Sequence, residues 1–335
     1  MTKALGWCDP GEYRTAPCAK PKLLQQFHSP NYITALQSIE YSQEVSAVQR
    51  KIYNIGTLSN PVFSEMFQRP ATSVGSSILA AELVAFGGRA YSLGGGLHHG
   101  MATHANGFCF LNDLVFAIRR LRSLGIQRIA YVDLDAHHCD GVEVAFESDN
   151  DLLIVSTHED LRWPYTGKLK DNSQDRRVNI PLPKACNDDE FLLVVDQIIL
   201  PAIQRFAPDA LLIQGGADAL CDDPLSRMCL SNNVLWDTFS NLLELSDKVI
   251  LTGGGGYNPW TVARLWTGFW AIMSGRKLPI ELNPQASSIL RKLHWVRKNK
   301  PEKSVFQYFH DVPNKGIVRS EIQELLHYLK RVHLL

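Results

Sequence analysis

At 335 residues, with 45% hydrophobic and 20% charged side chains, the chain is long enough for one large α/β domain or two small ones, and no shift in composition marks a seam. Lys plus Arg and Asp plus Glu both total 34, which excludes the basic footprint of a direct nucleic-acid-binding surface or a basic membrane-binding face. There is no apolar core of signal-peptide length and no uncharged apolar run able to span a bilayer. The seven cysteines are scattered, do not look like a disulfide framework and fit a reducing compartment, so a soluble cytoplasmic protein is expected.

Residues 1–30 read as irregular, because Pro10, Pro17, Pro21 and Pro30 block long helices. Helical composition runs from Tyr32 to Lys51, and a turn-rich patch follows around Asn60-Pro61 and Arg69-Pro70. Ser73 to Phe86 reads as a buried helix of small residues ended by Gly87-Gly88. Arg89 to Leu93 is a short strand candidate that runs into Gly94-Gly-Gly-Leu-His98-His99-Gly100. Successive glycines let the backbone approach a ligand closely, and paired histidines on such a loop are candidates for acid/base work because imidazole titrates near neutrality. After Gly107-Phe108-Cys109-Phe110 an amphipathic helix extends through Leu124, with Arg119, Arg120 and Arg122 near the end where the dipole favours cations.

The chemistry is densest in Tyr131–Gly141. Asp133, Asp135, His137, His138 and Asp140 fall within eight residues, directly after the apolar Ile129-Ala-Tyr-Val132. That run reads as a buried parallel strand, so the polar cluster sits at its carboxyl end, the edge where open α/β sheets bind ligands. Asp135 and His137 are two apart, point the same way on extended backbone, and can share one cation. With a third acidic ligand the set suits zinc, whose catalytic sites keep three protein ligands and an open position; iron(II) accepts the same donors. The alternative is a buried ion-pair network, although charges are rarely buried so densely without a compensating partner.

Further along, Val142 to Phe146 reads as a short helix and Asp151 to Thr157 as a buried strand with His158 at its end. Glu159 to Arg177, containing Trp163-Pro-Tyr-Thr-Gly167, reads as a long surface loop of the kind that rims a pocket. Asn187-Asp-Asp-Glu190 caps a helix through Phe206. The strand Asp209 to Gln214 ends in Gly215-Gly216-Ala-Asp218, and Asp218 is the candidate third ligand. After a helix from Asn233 to Leu245, the strand Lys248 to Thr252 empties into Gly253-Gly-Gly-Gly-Tyr257, and a helix from Trp260 to Met273 follows. Near the end, Ser320-Glu-Ile-Gln323 looks like a capping box. It opens a helix with Ile322, Leu325, Leu326 and Leu329 on one side, a face for docking on its own domain or for homo-oligomer formation. Strand candidates alternating with helices predict a single α/β domain, its central sheet mostly parallel and covered on both faces.

From Phe27-His-Ser-Pro-Asn-Tyr32 to Trp266 the sequence resembles the zinc-dependent histone deacetylase family, including its bacterial acetoin-utilisation-type and acetylpolyamine-hydrolysing members. The resemblance is carried, in the family's order, by Gly-Gly-Leu-His98-His99, Gly107-Phe108-Cys109, Asp133-Leu-Asp135-Ala-His137-His138-Cys-Asp140-Gly141, Gly216-Ala-Asp218 and Gly-Gly-Gly-Gly-Tyr257. It implies the arginase–deacetylase fold for a single domain over 1–335, with a core of about 27–275, no clear match over 1–26 and a C-terminal extension of about 300–335. It further implies that Asp135, His137 and Asp218 hold zinc, that His99 is general base and then acid with His98 mainly electrostatic, and that Asp133 and Asp140 hydrogen-bond to the pair. Tyr257 matches the tyrosine whose hydroxyl stabilises the oxyanion, and Phe108 and Trp163 match the aromatic walls of a narrow tunnel. A structural potassium is implied at Asp133, Asp135, His137, Ser156 and Thr157. Leu225 stands where polyamine-selective relatives carry a glutamate, which favours an acyl-lysine protein or peptide over a small acylated amine. Cys139 replaces a glycine of the family, and Cys221-Asp222 replaces a pair of small residues. Three functions follow for testing: acyl-lysine hydrolysis, hydrolysis of acetylpolyamines or an arginase-like substrate, and acyl-lysine binding without turnover.

Overall fold

The computed structural model describes residues 1–174, 176–295 and 301–335. Six strands, β1 (Gly88–Ser92), β2 (Ile129–Asp133), β3 (Leu152–Glu159), β4 (Arg177–Leu182), β5 (Ala210–Gln214) and β6 (Lys248–Thr252), form one sheet in the order β1-β6-β5-β2-β3-β4. Every pairing is parallel, as expected of apolar strands joined by helical crossovers.

Side chains alternate between two apolar layers. Ile129 and Tyr131 of β2, Ile154 of β3, Leu212 of β5 and Ile250 of β6 pack with Ala80, Ala81 and Val84 of the helix Gln68–Val84, and with Leu114, Ala117, Ile118 and Leu121 of the helix Asp113–Ser123. Their neighbours Ala130, Val132, Val155, Ile213 and Leu251 face the opposite layer, which includes the helices Asn232–Leu243, Pro259–Met273 and Ser320–His333. Burying one aliphatic side chain of this kind contributes about 1.5–3 kcal/mol. A one-residue slip of β2, buried at every position, would exchange its two layers, so its register is fixed. A third cluster, with Tyr32, Ile33, Leu36 and Ile39 of the helix Pro30–Ser42, packs on Phe110, Leu111 and Phe116. The Tyr32 hydroxyl donates to the Phe110 carbonyl at 2.7 Å, bracing the segment before the helix Asp113–Ser123.

Several elements differ from the sequence expectation. The helical stretch Tyr32 to Lys51 is two helices, Pro30–Ser42 and Ala47–Tyr53, because Gln43 takes a left-handed conformation and ends the first. Pro70 lies inside the helix Gln68–Val84, in its first turn, where the missing N–H costs little. The sequence suggested five strands; β4 is the sixth, following the loop expected over Glu159 to Arg177. It buries Val178, Ile180 and Leu182, and as an edge strand paired only with β3 it tolerates Pro181. The capping box at Ser320 does not form: Arg319 is the N-cap residue and no side chain caps the helix. Its apolar face, Ile322, Leu325, Leu326 and Leu329, is buried in the chain's own core, which leaves it unavailable to a second copy.

The scattered cysteines form no framework, but Cys221 and Cys229 are joined in a disulfide that the reading of a reducing compartment did not anticipate. They meet because Leu220 and Leu230 bridge as extended backbone, a pairing that cysteine spacing does not reveal. Cys139 is a free, buried thiol, and burial followed by the charges of Asp133 and Glu143 pushes it well above the ordinary range. No described helix is long and apolar enough to cross a membrane.

Parallel pairing sends the loops after β1, β2, β3, β5 and β6 to one edge of the sheet. β2 lies inside it, between β5 and β3.

Candidate active site

Asp135 and His137 leave the end of β2, and Asp218 leaves the end of its neighbour β5. All three are buried, and one donor atom from each lies within 4.8 Å of the others. Nδ1 of His137 is 2.9 Å from Asp218 Oδ2 and 3.1 Å from Asp135 Oδ1. The carboxylates are held in turn. Asp135 Oδ2 accepts from Gln214 Nε2 and from the Gly255 amide, both at 2.8 Å, and Asp218 Oδ1 accepts from the Ala136 amide at 2.9 Å. A Cβ at position 255 would fall 2.2 Å from Asp218 Oδ2, so the glycine run after β6 is needed for backbone to come this close. Burial, and then the charge of Asp135, push Asp218 above its ordinary value. Two buried carboxylates converging on an imidazole nitrogen are the donor set of zinc or iron(II), and a divalent cation among them would offset the charge that burial penalises.

The tandem histidines arrive from the loop after β1. Nδ1 of His98 donates to Asp133 at 2.8 Å, and Nδ1 of His99 donates to Asp140 at 2.6 Å. Each expected histidine–carboxylate pair is therefore formed. The environments of the two rings differ, although their centroids are 3.9 Å apart. Burial depresses both, but at His98 the charges of Asp133 and Asp135 outweigh it and raise the ring to about 9. At His99 burial, reinforced by the His98 charge, holds the ring down at about 4. His99 is accordingly neutral, its proton on Nδ1 and Nε2 left as an acceptor.

The loop is placed by residues that sequence reasoning passed over. Buried Asp113 accepts from the amides of Gly96 at 3.0 Å and Leu97 at 2.8 Å and from the Ser77 hydroxyl at 2.5 Å. Asn112 donates to the Gly100 carbonyl at 3.0 Å and caps the helix Asp113–Ser123 through the Val115 amide. Asn106 donates to Asp140 at 2.9 Å, and the Tyr131 hydroxyl donates to Asp133. An Asn-Asp pair before a helix signals a cap; that its carboxylate also cradles the loop 94–97 is a tertiary contact that no local pattern encodes.

Tyr257 follows the glycine run, and its ring centroid is 5.8 Å from that of Phe108. Burial, and then the charges of Asp218 and Asp135, raise the phenol well above its ordinary value, so it remains a proton donor. Trp163 packs edge-on against His99 and His137, with ring centroids 4.6 Å and 6.2 Å away. Gly107 makes room for that ring: a Cβ there would sit 2.3 Å from Trp163 Cη2. Leu225 is half-buried, and its carbonyl accepts from Nη1 of Arg162, the residue before Trp163, at 2.9 Å. His138 turns away from the triad and hydrogen-bonds Thr166 at 2.8 Å, anchoring the loop after β3. The five residues named for potassium lie buried at the ends of β2 and β3, where Thr157 Oγ1 donates to the Asp133 carbonyl at 3.2 Å.

Residues 2–273 match the family model of the histone deacetylase domain, so the match begins well ahead of Phe27, where the motifs first became legible. The chain is 32% identical over 300 residues to the acetoin utilization protein AcuC of Bacillus subtilis, covering 85% of this chain and 77% of that protein. It is 34% identical over 273 residues to histone deacetylase 9 of Arabidopsis thaliana, a longer protein of which it spans 64%. Among solved structures, an HDAC homolog complexed with SAHA superposes with a TM-score of 0.93 at 35% identity, over 98% of this chain and 91% of the other. An HDAC homolog from Aquifex aeolicus gives the same score at 34% identity. With the sheet, the motif order and more than two thirds of the chain in agreement, the chain belongs to the histone deacetylase family.

Proposed function

We propose that the chain is a zinc-dependent deacylase that hydrolyses the amide of an acylated lysine side chain. One observation supports this above the others: two carboxylate-tethered histidines and a buried Asp-His-Asp triad come together at the carboxyl edge of the sheet, beside the loop that carries Tyr257. Asp135, His137 and Asp218 would hold the ion. The chemistry zinc supplies when bound is Lewis acidity toward the acyl carbonyl and toward the attacking water.

The protein's own groups account for the remainder. His99, neutral and oriented by Asp140, accepts a proton from the attacking water at Nε2 and returns it to the leaving lysine amine. His98, hydrogen-bonded to Asp133, contributes mainly electrostatically to the developing oxyanion. The Tyr257 hydroxyl donates to that oxygen. Phe108 and Trp163 wall the four-methylene lysine stem and exclude water. Leu225 at the rim cannot pair with a second ammonium, which favours acyl-lysine over acetylpolyamines. Asp133, Asp135, His137, Ser156 and Thr157 are the proposed potassium site.

Protein loaded with zinc is assayed on an acyl-chain series of lysine peptides beside acetylputrescine. Release of acetate from acetyl-lysine peptide, lost about 10²–10³-fold in Tyr257→Phe, is expected. Faster turnover of acetylputrescine would shift the assignment to the polyamine reading. Tight peptide binding with no turnover of any substrate would make the chain a binding module.

A further inference from the structure

The backbone from Gly253 to Gly256 carries no side chain to fix it, so the placement of Tyr257 depends on main-chain bonds. The Gly255 amide goes to Asp135 and its carbonyl accepts from Ala217 at 2.6 Å. Beyond it, the Tyr257 amide donates to Asp223 Oδ2 at 2.7 Å, and the other oxygen of Asp223 accepts the Leu225 amide at 2.9 Å. A single buried carboxylate, 4% exposed, thus ties the tyrosine of one loop to the rim leucine of another.

Asp223 is itself tightly held. Its loop is closed by the Cys221–Cys229 disulfide and by the Cys221 amide donating to the Leu230 carbonyl at 3.0 Å. Arg162 pins the Leu225 carbonyl, and Glu159 accepts the Arg227 amide at 2.6 Å. Hydrogen bonds to an ionised acceptor are about twice as strong as neutral ones, and an asparagine here would have one acceptor oxygen to serve two amides.

We propose that Asp223 is a positioning residue that sets the Tyr257 hydroxyl over the triad, and that the Cys221–Cys229 cross-link keeps Asp223 in place. The kinetic part of the test rests on the deacylase reading; the structural part does not. A displacement of about 1 Å in a reacting group can cost about 10²-fold in rate. Asp223→Asn is therefore expected to lower kcat about 10–100-fold with KM and zinc affinity little changed. In a Tyr257→Phe background the same substitution is expected to change kcat less than about twofold, because the hydroxyl being positioned is gone. Cys221→Ser with Cys229→Ser should give a smaller loss that also vanishes in that background. Where Asp223→Asn does not fold, Asp223→Glu, which keeps both acceptors at the wrong reach, is read in the same way. An unchanged kcat, or an equal loss with and without the Tyr257 hydroxyl, overturns the proposal. If the wild type hydrolyses no acyl-lysine peptide, the deacylase reading fails by itself. Crystal structures of wild type and Asp223→Asn then decide: a displaced Tyr257 ring supports the role and an unmoved one overturns it.

Discussion

Asp140 holds Nδ1 of His99 at 2.6 Å, which commits the ring proton to that nitrogen and leaves Nε2 free to accept one, as the proposed base requires. Asp140→Asn can present an amide N–H to the same nitrogen and favour the opposite tautomer. We expect kcat to fall about 10²–10⁴-fold. Zinc content measured on the same preparation should stay unchanged; a kcat within threefold of wild type would remove His99 from the role of base.

Gln214 donates to Asp135 Oδ2 at 2.8 Å and touches no reacting atom. Groups that orient metal ligands typically account for about 10–100-fold in affinity. Gln214→Ala should weaken zinc binding by that factor in a competition titration against a chromophoric chelator. Unchanged affinity would show that the Gly255 amide alone suffices to orient the ligand.

Gly107 has φ +50° and no room for a Cβ beside Trp163 and His99. Gly107→Ala is expected to cost about 1–3 kcal/mol in denaturant unfolding and to lower kcat as well. Gly125, with φ +90° and nothing near its Cβ position, is the control: Gly125→Ala should lose stability from backbone strain alone and keep its kcat. Equal kcat for the two variants would count against the proposed role of Trp163 as a wall of the substrate tunnel.

Arg319 makes a two-pronged pair with Glu190, Nε and Nη2 each 2.6 Å from a carboxylate oxygen, and joins the start of the C-terminal helix to the helix Asp188–Val194. Burial pushes Glu190 up, but the bonds from Arg319 outweigh it and hold the carboxyl below its ordinary value. A depressed folded value means that the contribution is complete above the unfolded value of about 4.3 and fades as pH falls through the folded one. Arg319→Ala should cost about 2 kcal/mol at pH 7. The gap in Tm between wild type and variant should close as the pH drops below about 4. A gap that is constant with pH would mean that packing, not the ion pair, secures the helix.

The site was legible where chemistry is contiguous. Asp133, Asp135, His137 and Asp140 announce themselves as a dense polar run after an apolar strand, and Asp218 and Tyr257 follow glycines at strand ends. Residues that act through one bond across the sheet were not legible. Gln214 looks like the last residue of a strand, Asp113 like the start of a helix, and Asp223 like a turn residue before proline. β4 escaped notice although Val178, Ile180 and Leu182 alternate, because Pro181 argues against a strand except at a sheet edge, and its edge position beside β3 shows only in the fold. The disulfide depends on a bridge between Leu220 and Leu230, and the false capping box on a serine one position inside the helix. For Gln214 and Asp223 the deciding partners, Asp135 and Tyr257, lie far away in sequence.

β2 and β5 are hydrogen-bonded neighbours, from Ile129 opposite Ala210 to Asp133 opposite Gln214, yet the chain leaves the sheet and returns twice between them. A cut in the loop before Asn187 would leave His98, His99, their acids and two ligands on one fragment, and Asp218 and Tyr257 on the other. Neither half alone would carry the whole Asp-His-Asp triad. On the zinc reading proposed above, uptake of zinc by a mixture of the two pieces would therefore count the reassembled molecules.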